Sequence, residues 1–179
     1  MKRAELEHLI RAAGAVSGSR RLIVIGSQSI LAQYPTGAPA RAVLSREADF
    51  FPLDAPDSSD VISVVLGELS PFDATFGYYA DGVGDETARL PAGWRDRLVT
   101  IDNPNTNGYV GLCLEVHDLL ISKYFAGRDK DHEFCGAVVG AGLVDHDRLM
   151  QRLADTDMDD EIRQRVVGRI AADFESRQD

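Results

Sequence analysis

Apolar residues recur along this chain in two rhythms that mark its elements. Residues 2–16 place Leu6, Leu9, Ile10 and Ala13 on one stripe between charged positions, which predicts an amphipathic helix. "RLIVIG" is a short continuous apolar run ending in Gly26, the pattern of a strand buried on both faces. "SQSILAQY" returns to helical spacing and stops at Pro35, with Ser27 placed to cap it. Residues 35–42, rich in Gly, Pro and Ala, read as a loop, and "AVLSREADFFPL" as a second strand closed by Pro52. "SSDVISVVLGEL" predicts a helix capped by Ser58 or Ser59, "FGYYADGV" an aromatic strand, and "GDETARLPAGWRDR" a turn-rich connection. "LVTID", "NPNTNG" and "YVGLCLEV" then read as strand, turn and strand.

From His117 the rhythm is helical, through "HDLLISKYFAG", "DKDHEFCGAVVGAG", "DHDRLMQRLAD" and "DDEIRQRVVGRIAADFESR". Gly127 and Gly142 stand where helices end. The last segment carries Ile162, Val166, Ile170 and Phe174 as a core-facing stripe. The layout predicts an α/β (α+β) chain. A small mixed β-sheet flanked by helices spans residues 1–116, and a C-terminal helical bundle spans 117–179.

Composition narrows the function classes. At 179 residues and 44% hydrophobic, the chain can bury a sizeable core. It has no apolar run of bilayer-spanning length, and its first residues lack a signal-peptide core, so a cytoplasmic protein is expected. A net charge of −10 argues against a broad basic surface for nucleic acid and leaves room for a local basic pocket. Cys113 and Cys135 lack metal-ligand spacing and read as buried reduced thiols. "DTDMDDE" lacks EF-hand spacing, which excludes that calcium loop.

Three pieces carry candidate chemistry. Gly26-Ser27 joins a strand to a helix, where free backbone N–H groups suit an anion, although such a pair more often makes a plain tight turn with an N-cap. Glu47 and Asp49 sit two apart in "SREADFFP", so a strand projects both carboxylates from one face. They read as a Mg²⁺ pair or as a solvated strand face, and the flanking Ala48, Phe50 and Phe51 favour a cleft. "HDLLISKYFAGRDKDHEF" gathers Lys123, Arg128, Lys130 and Asp131 around one helix–helix corner, either as phosphate-binding cations or as a surface ion-pair network. His117 and His132 read as capping and solvated groups. Trp94 reads as a residue closing the core edge, and Arg95 and Arg97 as phosphate contacts or partners of nearby acids.

The order of these pieces resembles the DNA polymerase β-like nucleotidyltransferase superfamily, in particular the small bacterial branch related to AbiEii-type toxins. That branch carries a late motif of Asp-Leu, then Lys, a small residue, Arg and Lys-Asp. Here Asp118-Leu119, Lys123, Arg128 and Lys130-Asp131 stand in that order. The resemblance runs from about Ile23 to Phe134 and implies a nucleotidyltransferase core, a Mg²⁺ cofactor and an NTP substrate. By that resemblance Gly26, Ser27, Arg128 and Lys130 contact the nucleotide, and Glu47 and Asp49 ligate the metal. Lys123 neutralises phosphate, and Asp131 is a further acidic residue of the site. The acceptor it implies is RNA, such as a tRNA 3′ end, or a protein, and the setting is a toxin with a cognate antitoxin. The family usually has Asp at the first metal position where this chain has Glu47. A catalytically impaired nucleotide-binding or protein-interaction module is therefore the alternative. Asp102, Glu115 and Asp131 are the candidates for a third carboxylate.

Overall fold

The architecture comes from a computed structural model that describes residues 1–177, apart from the side chain of Asp85. The chain opens with helix α1 (Arg3–Ser17) and strand β1 (Arg21–Val24), then passes a short helix α2 (Ile30–Gln33) to reach β2 (Glu47–Pro52). Helices α3 (Ser59–Leu66) and α4 (Pro71–Phe76) lead to β3 (Tyr79–Gly82), and strands β4 (Val99–Ile101) and β5 (Val110–Cys113) complete the sheet. Four helices follow: α5 (Val116–Ala126), α6 (Asp129–Gly140), α7 (His146–Ala154) and α8 (Asp160–Glu175).

The sheet order is β3-β2-β1-β5-β4. β1 lies antiparallel to β2 and parallel to β5, while β2 and β3 run parallel, so the sheet is mixed as expected. Leu22, Ile23 and Val24 of β1 are fully buried, which is why that strand reads as an unbroken apolar run. Leu6, Leu9, Ile10 and Ala13 of α1 are likewise removed from solvent. One apolar cluster joins the sheet to Leu120 and Tyr124 of α5, Phe134 and Val138 of α6, and Val166 and Ile170 of α8. Ile162 and Phe174 are only partly buried, so the last helix uses the middle of its stripe.

Four local expectations are corrected. "SQSILAQY" does not form one helix capped by Ser27: Ser27–Ser29 make a 3-10 turn, and no side chain caps it. β2 begins at Glu47, because Ala40–Val43 form another 3-10 turn ahead of it. Ser58 holds the cap position of α3, yet its hydroxyl donates to the Ala55 carbonyl. Helix α4, absent from the sequence reading, is set by the Ser70 side chain accepting from the Asp73 N–H and by Pro71 at its first position.

Polar groups in the helical half are consumed in tying elements together. Asp118 is buried and takes the Arg97 guanidinium at 2.8 and 3.0 Å, with Arg152 Nε 3.1 Å away, so Arg97 pairs with an acid. Glu115 caps α5 by accepting from the N–H groups of His117 and Asp118. His117 does not cap that helix: it is buried, its ring bridging Glu115 at 2.7 Å and the Asp145 N–H at 3.0 Å. His132 lies inside α6, 2.6 Å from Arg169. Both cysteines are buried free thiols, and burial pushes Cys113 up to about 12. No helix among the described residues is long and apolar enough to cross a membrane.

Candidate functional site

β2 alternates at its start: Ala48 and Phe50 turn into the core while Glu47 and Asp49 share the opposite, partly open face. Two adjoining cavities of about 420 and 660 Å³ lie against that face, with Asp49, Lys123 and Arg128 lining both. Gly26 lines the smaller cavity. Ser27, Glu47, Lys130 and Asp131 line the larger. All eight residues singled out from sequence, drawn from three separated stretches, thus border one cleft.

The carboxylates in this cleft divide into two kinds. Glu47 is fixed through its backbone, its N–H donating to the Ser45 hydroxyl at 3.1 Å. Among the described residues neither the Glu47 nor the Asp49 carboxylate accepts a hydrogen bond. Asp49 titrates near 6, pushed up by burial first, then by the Glu47 charge, and to a smaller degree by Asp81; Lys123 and Lys130 act in the opposite sense. Asp131 contrasts with it. It is buried, with Oδ1 taking Lys123 Nζ at 3.0 Å and Oδ2 taking Arg128 Nε at 2.7 Å. Burial raises its pKa, but hydrogen bonds and charge from Arg128 and Lys123 outweigh burial and hold it below the ordinary carboxylate value. Asp131 is therefore the anchor that points two cations into the cleft. Glu47 and Asp49 are open oxygen donors facing those cations.

Gly26 explains how close the first loop comes to this pair. Its φ of +133° is open to glycine alone, and a Cβ built there overlaps Asp49 Oδ2. The β1 turn is pressed directly onto the carboxylate. Gly26→Ala is expected to destabilise the fold by about 1–3 kcal/mol and to displace Asp49, a change checked by urea unfolding alongside NTP binding.

Sequence reasoning missed Asp81. The parallel register sets it directly beside Asp49 on β3, and residues paired in register share a sheet face. The available signal was an acid inside an aromatic strand segment, "YYADG", but the strand pairing that gives it meaning is long-range. The other candidates for a third carboxylate are placed elsewhere or already engaged. Asp102 follows β4, at the sheet edge away from β3. Glu115 caps α5, and Asp131 is paired to Lys123 and Arg128.

Hard carboxylate oxygens from Glu47 and Asp49 suit Mg²⁺ with ligand oxygens completing its shell. Among the described residues, no group of three or more His, Cys, Asp or Glu side chains is arranged to hold a metal by itself.

The mixed sheet thus sets the paired carboxylates against a lysine–arginine corner. The family model described as "Nucleotidyltransferase of unknown function (DUF6036)" matches residues 4–178, and the chain belongs to that family. No curated protein and no solved structure matches the chain.

Proposed function

We propose that the cleft binds an NTP together with Mg²⁺ and transfers its nucleoside monophosphate to an acceptor hydroxyl, releasing pyrophosphate. The observation that carries this reading is the unpaired Glu47–Asp49 couple facing Lys123 and Arg128, which a distinct buried acid holds in place. Glu47 and Asp49 would hold the Mg²⁺, which would supply charge neutralisation for the phosphoryl oxygens. Lys123, Arg128 and Lys130 would neutralise the triphosphate, and the Gly26-Ser27 turn would admit it close to the strand. The acceptor oxygen attacks the α-phosphorus, the bond to the pyrophosphate oxygen breaks in line, and the hydroxyl proton leaves to a base or to water.

The acceptor classes supported by resemblance are an RNA 3′ end, as of tRNA, and a protein hydroxyl, with a toxin opposed by a cognate antitoxin as the setting. The net charge of −10 favours an acceptor that inserts its terminus into the cleft over one held along an extended surface. Incubation with each α-³²P-labelled NTP, Mg²⁺ and either total RNA or a cell protein extract tests the reading. Label is expected on one class in wild type and on neither in Lys123→Ala. Label on neither class with wild type would contradict transfer.

Lys123→Ala is further expected to weaken NTP binding roughly tenfold to a hundredfold, the loss of one charge-assisted hydrogen bond, as read by titration calorimetry. A second reading, an impaired family member that binds nucleotide without transferring it, is favoured by Glu47, whose longer arm fits the octahedral demands of Mg²⁺ poorly. Under that reading wild type binds Mg²⁺·NTP without transfer, and Glu47→Asp tightens the binding.

A further inference from the structure

The smaller cavity has a wall that phosphate chemistry does not use. Phe125, one position after the buried Tyr124 on α5, lines this cavity. It is partly exposed there. The Arg89 guanidinium lies over that ring, 5.6 Å from its centroid. Arg89 is itself half exposed, with a 3.9 Å approach to the fully exposed Asp157 as its ion pair. Ser122 and Thr87 line the same cavity, and among the described residues neither hydroxyl makes a hydrogen bond to the protein. An aromatic face accessible to a planar cation, with uncommitted hydroxyls nearby, is the composition of a site for a flat, polar-edged ring.

We infer that Phe125 is the base platform of the nucleotide site. The nucleobase stacks on the ring face that Arg89 now covers, with Ser122 and Thr87 within the cavity that receives its polar edge or the ribose. This deepens, and rests on, the reading of the cleft as an NTP site. Asp49, Lys123 and Arg128 border both cavities. A triphosphate held at that shared wall can therefore extend its nucleoside into the smaller one. Arg89 competes for the ring and is displaced by the base.

The test compares each NTP with inorganic tripolyphosphate, both with Mg²⁺, by calorimetry on wild type, Phe125→Leu, Phe125→Tyr and Arg89→Ala. Leucine keeps apolar volume and removes the π face, and tyrosine keeps the face. Phe125→Leu is expected to weaken the preferred NTP about tenfold, the order of one lost base–aromatic stack, while tripolyphosphate binds as in wild type. Phe125→Tyr retains NTP affinity, and Arg89→Ala retains or improves it. Equal weakening of NTP and tripolyphosphate by Phe125→Leu would show a structural role and overturn the inference, as would unchanged NTP binding. A wild type that binds tripolyphosphate as tightly as every NTP would overturn the platform and leave a phosphate site standing. A wild type that binds neither would overturn the NTP reading itself.

Discussion

Asp49→Asn is expected to make the metal-free protein more stable at pH 7.5 and to abolish its Mg²⁺-dependent NTP binding. The sign follows from Asp49 titrating near 6 in the fold against an ordinary 3.8. Folding favours the protonated form, so the penalty is absent below about pH 4, grows as pH rises through the interval between those values, and is complete above pH 6. A displacement of this size corresponds to about 3 kcal/mol, or several degrees in melting temperature for a domain of this length. Melting curves in EDTA at pH 4 and pH 7.5 check it: the variant should melt above wild type at the higher pH and with it at the lower. Added Mg²⁺·NTP should raise the wild-type melting temperature alone. Metal affinity should likewise fall below pH 6, as Asp49 takes up a proton.

Asp131→Asn should do the reverse, although the two aspartates border one cleft. Asp131 is buried with Lys123 and Arg128 on its two oxygens, so neutralising it strands Lys123, whose side chain is 14% exposed. Breaking such a pair costs about 3 kcal/mol, discounted from the upper end of the usual range because Arg128 is largely in solvent. Its folded pKa is depressed, so its contribution is present above the ordinary value of 3.8 and is lost as pH falls below it. Urea unfolding at pH 7.5 should show the loss, and NTP binding should weaken as both cations lose their anchor. Two carboxylates with opposite effects on stability separate a ligand-facing group from a structural one. A matching gain for Asp131→Asn would place it with Asp49 as an open acid.

What was legible in the sequence was what depends on local periodicity. The α1 stripe, the β1 run and the alternation that puts Glu47 and Asp49 on one face are each carried by adjacent residues. The gathering of Lys123, Arg128, Lys130 and Asp131 followed from a helix end at Gly127. What stayed hidden depends on pairing across distance. Asp81 joins the site only because β3 runs parallel to β2 in a particular register. Arg97 is spent on Asp118 because the turn that carries it docks on α5. Asp131 reads as one more acid in a charged corner, while in the fold its two oxygens are occupied. The helix expected after Ser27 starts as a 3-10 turn, Ser27–Ser29, that runs directly into α2, just after Gly26 passes against Asp49.

On this reading Glu47 and Asp49 hold a divalent cation shared with a nucleoside triphosphate. Its most direct test is calorimetric titration of the four NTPs into wild type and Asp49→Asn, each with Mg²⁺ and with EDTA. At least one NTP is expected to bind wild type with Mg²⁺, with binding lost in EDTA and lost in the variant. NTP binding of equal strength in EDTA and in Asp49→Asn would contradict it, making the carboxylates bystanders to a site built from the cations alone.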